Sequence, residues 1–435
     1  MKTRVIIISP EVIGENMSGP AIRYLNFSLE LSKKYEVYLL GSSSHSSLNS
    51  SISVLNFTEE IVKKLINQKC AIITQGRVIW ENKYIKGLNV PIVIDLYDPF
   101  ILENLETNKG DSRYKERLHE ASLSILLEQL AIGDYFICAS EKQRDFWIGM
   151  LASINRVNAL EYDVDPTLHH IIDIVPFGLD SDPPIKTKSV IKGVIPNINH
   201  DDIVLLWGGG VWDWLDPVLA IEAMKQIKTS NDKIKLLFMG IRPPNNTAGM
   251  RKVALIQEMS GNYSLTGNTV FFNDWVSYEE RHNYLLESDI GLSLHQNHLE
   301  TRFSFRTRML DYIWCELPTI STRGDVFSEI IFQHQIGEVI KEEDVEGLVN
   351  AIQNVSIKNK IYKDNFQQLK KRMTWEEAVK PLIGYLESPQ LSIGKSKTLT
   401  IKRMSRLMYY YYKTVSLLKD KEYRSFLEKV RNVLK

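Results

Sequence analysis

The chain has 435 residues, of which 44% are hydrophobic, which is enough for two α/β domains with separate cores. Basic and acidic side chains number 53 each, so the overall charge offers no attraction to nucleic acid. The three cysteines, Cys70, Cys138 and Cys315, form no CxxC pair and are expected to be buried thiols, which predicts a cytoplasmic protein. No signal peptide or membrane-spanning segment is predicted, because no stretch approaches the ~20 apolar residues of a spanning helix.

The first half of the chain alternates short apolar runs with helical patterns. RVIIISP leads through a loop of small and polar residues into a helical pattern from Ala21 to Lys34, and further strands follow at EVYLLGS, CAIITQG, PIVIDLYDP, YFICAS and IIDIVPFG. Apolar strands separated by helices are typical of a parallel sheet covered on both faces. Residues 1–178 are therefore predicted to form a Rossmann-like domain, and the polar, proline-containing stretch 179–200 a hinge.

The same alternation restarts after the hinge. DIVLLWGGG, KLLFMG, TVFFNDW and IGLSLH are strand-like runs separated by helical patterns. Residues 201–372 are accordingly predicted to form a second Rossmann-like domain. Because two such domains face each other across a cleft lined by the carboxyl ends of their strands, we expect the functional site there.

Three glycines, Gly208, Gly209 and Gly210, follow the first strand of the second domain directly. Their backbone can approach a ligand closely or offer amide donors to a phosphate. A tight turn without a ligand explains them equally well, since GGG is neither GxGxxG nor a Walker loop. Trp212 and Trp214 come next and either pack internally or line a sugar or base pocket.

The densest polar cluster follows IGLSLH and contains His295, His298, Glu300, Arg302, Arg306 and Arg308. Arginines can hold a diphosphate through charge-assisted hydrogen bonds, and we expect at least one of Arg306 and Arg308 to do so. The structural alternative is pairing with a nearby acid, such as Arg302 with Glu300. Asp311 lies one helical turn after Arg308, and a carboxylate there can accept both hydroxyls of a ribose. The two histidines lack a third convergent ligand, so no metal site is predicted.

These segments resemble the retaining family 4 glycosyltransferases of GT-B architecture over about residues 1–390. LDYIWCELPTI reproduces the spacing of a family helix that ends at glycine, with Glu316 at the glycine's place, and Asp311 matches the second glutamate of the family's Glu-x7-Glu motif. IVPFGLD resembles the family's hinge motif, and FFNDWVSYEERHNYLLESDIGLSL resembles the sequence before its donor site. MTWEEAVKPLIGYLE resembles its closing helix, which makes 373–390 a cross-over helix that returns to the first domain.

The sequence departs from the family pattern in two places. Phe303 stands where the family has the first glutamate, and the nearest upstream acid is Glu300. The Arg and Lys that follow the first strand of the family's C-terminal domain are absent from GGGVWDWLDP. Arg306 and Arg308 are the expected substitutes at the diphosphate, with Arg242 as a third candidate.

The resemblance implies a retaining, metal-independent transfer of sugar from a nucleotide-sugar to a glycan or lipid-linked glycan in surface polysaccharide or glycoconjugate synthesis, with no cofactor. The catalytic residues would be Glu300, Arg306, Arg308 and His298. The donor-binding residues would be Gly19, Gly208, Gly209, Gly210, Arg242 and Asp311, with Arg23 near Gly19. Asp95 and Asp98 would orient the acceptor, and capping or turn formation before Pro99 explains Asp98 equally well. A nucleotide-sugar epimerase and a catalytically silent nucleotide-sugar-binding subunit are the alternatives.

The C-terminal segment differs from the rest in charge. Residues 395–435 carry 12 basic and 3 acidic side chains, a net charge of +9 that leaves −9 for residues 1–394. A basic helix with tyrosines and leucines can lie on an anionic membrane, which predicts peripheral attachment of tail 391–435 to the cytoplasmic face. The alternative is a helix packed on the protein or on a partner.

Overall fold

The computed structural model describes residues 3–14, 17, 19–42, 52, 54–67, 69–107, 109, 112–242, 251–399 and 411. It contains two parallel sheets, each covered by helices, so the predicted α/β class with two doubly wound halves is confirmed. Most of tail 391–435 lies outside the described residues, and so does its predicted amphipathic helix. Within the described ranges, no helix is both long and apolar enough to cross a membrane.

The first sheet has seven strands in the order β3-β2-β1-β4-β5-β6-β7. Its elements are β1 (Arg4–Ile8), α1 (Gly19–Ser32), β2 (Glu36–Leu40), β3 (Val54–Leu55), α2 (Glu59–Leu65), β4 (Cys70–Thr74), α3 (Val78–Glu81), β5 (Ile92–Asp95), α4 (Phe100–Thr107), α5 (Ser112–Ile132), β6 (Tyr135–Cys138), α6 (Glu141–Ser153), α7 (Ala159–Val164) and β7 (Ile172–Ile174). The central strands are fully buried, as continuous apolar runs require.

The second sheet has six strands in the order β10-β9-β8-β11-β12-β13. Its elements are β8 (Ile203–Trp207), α8 (Pro217–Ile227), β9 (Ile234–Phe238), α9 (Arg251–Asn262), β10 (Val270–Phe272), α10 (Arg281–Glu287), β11 (Ile290–Ser293), α11 (Leu299–Phe303), α12 (Arg308–Trp314), β12 (Thr319–Thr322), α13 (Val326–His334), β13 (Gly337–Ile340), α14 (Val345–Asp364) and α15 (Phe366–Arg372). Strand order reverses between β8 and β11, and a crevice forms beyond the carboxyl ends of strands at such a reversal. The glycine turn and the polar cluster follow these two strands.

The chain returns to the first sheet through α16 (Trp375–Ala378) and α17 (Lys380–Glu387). The backbone N–H of Leu179 donates to the carbonyl of Met373 at 2.6 Å, so the two interdomain segments are joined side by side. A Cβ at Gly178 would lie 2.4 Å from the backbone of Trp375, so only glycine fits where the two segments meet. Tyr385 then stacks on Tyr135 of β6, with ring centroids 4.1 Å apart.

Glu316 takes the backbone conformation that the family pattern fills with glycine. Its φ is +53°, in the left-handed region that terminates many helices, and it follows Cys315, the residue that caps α12. Lys370 and Gln367 both donate to its carboxylate, at 2.9 Å and 2.7 Å. These two contacts hold the side chain of a residue whose backbone conformation is rare for residues other than glycine.

Candidate functional site

The glycine turn after β8 is built on Tyr312 of α12. The backbone N–H of Gly208 donates to the Tyr312 hydroxyl at 2.7 Å, and that hydroxyl lies 3.1 Å and 3.0 Å from the carbonyl oxygens of Leu206 and Leu292. A Cβ at Gly208 would approach the Tyr312 ring to 2.9 Å. The Gly208 amide is therefore already bonded, so packing against Tyr312 accounts for this glycine.

The next two glycines face the crevice differently. Gly209 has a φ of +98°, and a Cβ built there would meet nothing within 4 Å, so this part of the turn borders open space. The carbonyl of Gly210 accepts a hydrogen bond from Arg308 Nη2 at 2.9 Å. The turn and the start of α12 are thus joined by one guanidinium.

Arg308 is a half-buried cation with no acidic partner. Its guanidinium carbon lies 5.3 Å from the Trp207 ring centroid, and its Nη1 is buried without a hydrogen-bond partner. Within the part of the chain that the structure describes, no carboxylate lies within 4.0 Å of it. Burial lowers the pKa of Arg308 to about 10, because the charge is removed from water without compensation. A bound anion beside Gly209 would supply that compensation.

Arg306 is neutralised inside the protein. Its Nη1 and Nη2 donate to the two carboxylate oxygens of Glu300 at 2.8 Å and 2.7 Å, and both residues are buried. The alternative that Arg302 pairs with Glu300 is wrong. Arg302 is exposed, and its guanidinium carbon lies 5.7 Å from the Phe303 ring centroid. Of the two arginines expected at a diphosphate, the structure leaves only Arg308 with an uncompensated charge.

His298 caps helix α11. Its Nδ1 accepts from the backbone N–H of Thr301 at 3.2 Å, which leaves Nε2 to donate to the carbonyl of Trp214 at 2.9 Å. Burial lowers the pKa of His298, which favours this neutral form. Trp214 stacks on Trp212 with centroids 5.1 Å apart, so the histidine joins the tryptophan loop to the polar cluster.

Asp311 is held by an arginine that the sequence did not single out. Arg281 Nε donates to Asp311 Oδ1 at 2.9 Å, and the guanidinium carbon lies 3.5 Å from the Tyr278 ring centroid. The carboxylate raises the pKa of Arg281 although burial opposes this. The Asp311 side chain keeps 31% of its surface exposed, so it remains accessible to a ligand. The i, i+3 spacing of Tyr278 and Arg281 is the sequence signal that could have identified Arg281 as a site residue.

Asp95 and Arg23 bind each other in the core of the first domain. Arg23 Nε and Nη2 donate to the Asp95 carboxylate at 2.6 Å and 3.1 Å, and neither side chain has any exposed surface. Asp95 was expected to face the acceptor and Arg23 the donor, and in this structure they face each other instead. Gly19 begins α1, where a Cβ would lie 3.5 Å from the Tyr97 hydroxyl. Arg242 is exposed four residues after β9, and its backbone N–H donates to the carbonyl of Asp274 at 3.3 Å.

Asp98 belongs to an acidic group at the junction of the domains. Asp98 precedes α4, which carries Glu103, and its Oδ1 is buried without a hydrogen-bond partner. Burial, reinforced by the charge of Glu300, raises the pKa of Asp98 to about 7 and that of Glu103 well above its ordinary value. The charge of Arg306 opposes the rise in the pKa of Glu103.

The raised pKa values predict how stability changes with pH. The folded chain binds protons on Asp98 and Glu103 more tightly than the unfolded chain, so the free energy of unfolding should fall as pH rises from about 4 to about 7. Asp98→Asn should make that decline shallower, which urea denaturation at about pH 5 and pH 7 measures. Asp163→Asn, at an exposed carboxylate, should behave as the parent chain. An unchanged slope for Asp98→Asn would contradict the assignment.

His295, which the sequence placed in the same polar cluster, lies in the core. Its Nε2 is 3.5 Å from Asp325 Oδ2, and both side chains have no exposed surface. Among the described residues, no group of three or more His, Cys, Asp and Glu side chains is arranged to hold a metal ion. His295 and Asp325 therefore act as a buried pair between β11 and α13.

The two facing Rossmann-like halves define the GT-B fold of glycosyltransferases. Residues 195–374 match the family model described as Glycosyl transferases group 1. No curated protein matches the sequence. The family match and the shared fold together support a GT-B glycosyltransferase.

Solved structures with the same fold are distant in sequence. Sucrose-phosphate synthase from Thermosynechococcus elongatus has a TM-score of 0.60 at 14% identity, over 89% of this chain and 98% of that one. HepE of Anabaena, in complex with UDP-glucose, has a TM-score of 0.62 at 12% identity, over 89% and 100%. WaaG, a glycosyltransferase involved in lipopolysaccharide biosynthesis, has a TM-score of 0.57 at 13% identity, over 89% and 100%. At these identities the likeness establishes the fold.

Proposed function

We propose that this protein transfers a sugar from a nucleotide-sugar donor, with the donor diphosphate bound between Gly209 and Arg308. The observation that carries the proposal is the uncompensated guanidinium of Arg308 beside an open glycine turn, at the strand-order reversal of a Glycosyl transferases group 1 domain. A diphosphate would neutralise the cation and occupy the space beside Gly209. The arrangement replaces the basic pair that the sequence lacks after β8.

The proposed chemistry breaks the bond between the anomeric carbon and the diphosphate oxygen. The bonding electrons leave with the diphosphate, and the acceptor hydroxyl attacks the anomeric carbon from the face that the diphosphate leaves. The hydroxyl proton passes to the departing phosphate oxygen, so the configuration is retained without a protein nucleophile. Arg308 stabilises the charge that develops on the leaving group, and this requires no metal.

Asp311 is proposed to hold the donor ribose. Its exposed carboxylate can accept from two hydroxyls, and Arg281 fixes its orientation through Nε. Glu300 and His298 were expected to be catalytic residues, and we propose that they act indirectly instead. Glu300 positions Arg306, and His298 holds the loop of Trp214 beside the donor site.

A protein with the same fold supports the choice of donor, and the acceptor class is part of the proposal. UDP and UDP-glucose are bound by HepE, so UDP-sugars are the first donors to test. We propose a glycan or lipid-linked glycan as acceptor, in polysaccharide or glycoconjugate synthesis. The +9 charge of residues 395–435 supports attachment to an anionic membrane on its cytoplasmic face.

Thermal unfolding of the full chain with a panel of nucleotides and nucleotide-sugars tests the proposal. A ligand bound only by the folded chain stabilises it by about 2.7 kcal/mol at 100 times its Kd. We expect a nucleoside diphosphate and its sugar conjugates to raise Tm more than the monophosphate, because the diphosphate reaches Arg308. If no member of the panel changes Tm, the proposed function is wrong.

A further inference from the structure

A cavity of about 360 Å³ lies between the two domains, separate from the glycine turn. Its lining includes Glu106 and Lys109 from the first domain and Asp213, Arg251, Lys252 and Gln296 from the second. Arg251 Nη2 donates across the domain junction to the carbonyl of Thr107 at 3.3 Å. The cavity thus depends on the two domains being together.

The cavity carries more positive than negative charge. Its three cations, Lys109, Arg251 and Lys252, face two acids, Glu106 and Asp213. Asp213 accepts from Arg251 Nε at 2.8 Å, and Glu106 pairs with Lys109. Lys252 Nζ donates to the carbonyl of Leu215 and, among the residues the structure describes, has no carboxylate within 4.0 Å. Burial lowers the pKa of Lys252, although the charges of Asp216 and Asp213 oppose this.

The cavity adjoins the proposed reaction centre and an apolar surface. Gln296 lines the cavity two positions before His298, which places the cavity next to the polar cluster. Leu255 lines the cavity and is 44% exposed. Leu105 and Leu299, which are 46% and 53% exposed, lie close in sequence to the lining residues Glu106 and Gln296. An acceptor with an anionic group could lie here while the donor occupies the turn at Gly209.

We propose that this cavity binds a phosphoryl group of the acceptor, with Lys252 and Lys109 as its counter-charges. The inference rests on the proposed function, because it assigns a binding site for the acceptor of the proposed sugar transfer. A phosphoryl oxygen would accept a second hydrogen bond from the Lys252 ammonium, in addition to the bond to the Leu215 carbonyl. Two sources share this chemistry: a water-soluble sugar phosphate, and a lipid phosphate whose chain would lie over the exposed leucines.

Calorimetric titration of the full chain saturated with UDP tests the inference, since UDP blocks the donor diphosphate site. The probes are inorganic phosphate, octyl phosphate and octanol. Lys252→Met and Lys109→Met should each weaken binding of the phosphate probes by about 10-fold or more, the size of one charge-assisted hydrogen bond. Lys109 is 62% exposed, so its variant tests the site even if Lys252→Met does not fold. Lys233→Met, at an exposed lysine before β9, is the control and should bind as the parent does.

The two phosphate probes separate the sources. Binding of octyl phosphate at least about 10-fold tighter than inorganic phosphate would support a lipid phosphate, and equal binding a water-soluble one. If neither probe binds, or if both variants bind like the control, the inference is overturned. UDP affinity in the same samples keeps the two ideas apart: normal UDP binding with no phosphate binding rejects only the acceptor subsite, whereas absent UDP binding rejects the proposed function.

Discussion

Arg308→Ala is expected to lower kcat/KM for sugar transfer by at least about 100-fold, the loss typical of removing one preorganised donor to developing charge. The expectation follows from the position of the guanidinium, which is anchored on the Gly210 carbonyl and has a buried Nη1 without a partner. Steady-state kinetics with the donor selected by the nucleotide panel measure the effect. Folding should be little affected, because the variant removes a poorly compensated buried charge.

Two further variants make the Arg308 experiment specific. Arg302→Ala removes an exposed arginine six positions away and should leave turnover near the parent value. Arg308→Lys keeps the charge but loses the planar fork, so its kcat/KM should lie between those of the parent and Arg308→Ala. Near-normal turnover of Arg308→Ala would remove this residue from the donor site.

Arg306→Met is expected to lower the free energy of unfolding by about 3–5 kcal/mol, as breaking a buried ion pair typically does. The variant leaves Glu300 buried without its bidentate partner, near the carboxyl groups of Asp98 and Glu103. Urea denaturation measures the loss. Arg323→Met, at a 59% exposed arginine paired with Glu342, is the control and should change stability by less than about 1 kcal/mol.

The affinity of folded Arg306→Met for UDP separates a structural role from phosphate binding. Because Glu300 already neutralises Arg306, we expect the Kd for UDP to stay within about 3-fold of the parent value, well under 1.4 kcal/mol. A large loss of UDP affinity in a variant of unchanged stability would instead place Arg306 at the diphosphate.

Much of the fold was predictable because its signals are local. Continuous apolar runs identified the buried strands, and Asp216 before Pro217 marked the start of α8, where the carboxylate accepts from the Leu219 N–H at 3.2 Å. The family resemblance put Glu316 at the place of a glycine, and its φ of +53° agrees with that assignment. The start of α10 was less predictable, because no side chain caps the helix where it begins at Arg281.

The site was less predictable because its contacts join distant parts of the chain. Arg308 reaches a carbonyl 98 positions earlier, and Arg23 reaches a carboxylate 72 positions later. The sequence could count arginines near Glu300 but could not decide which one pairs with it. That choice depends on α11 ending at Phe303, after which the chain turns and brings Arg306 back onto Glu300.

The most direct test of the donor site is a crystal structure of the full chain with bound UDP. We expect the diphosphate beside Gly209, with a phosphate oxygen within about 3 Å of the Arg308 guanidinium, and the ribose hydroxyls at Asp311. A diphosphate bound elsewhere, with Arg308 still lacking an anionic partner, would contradict it.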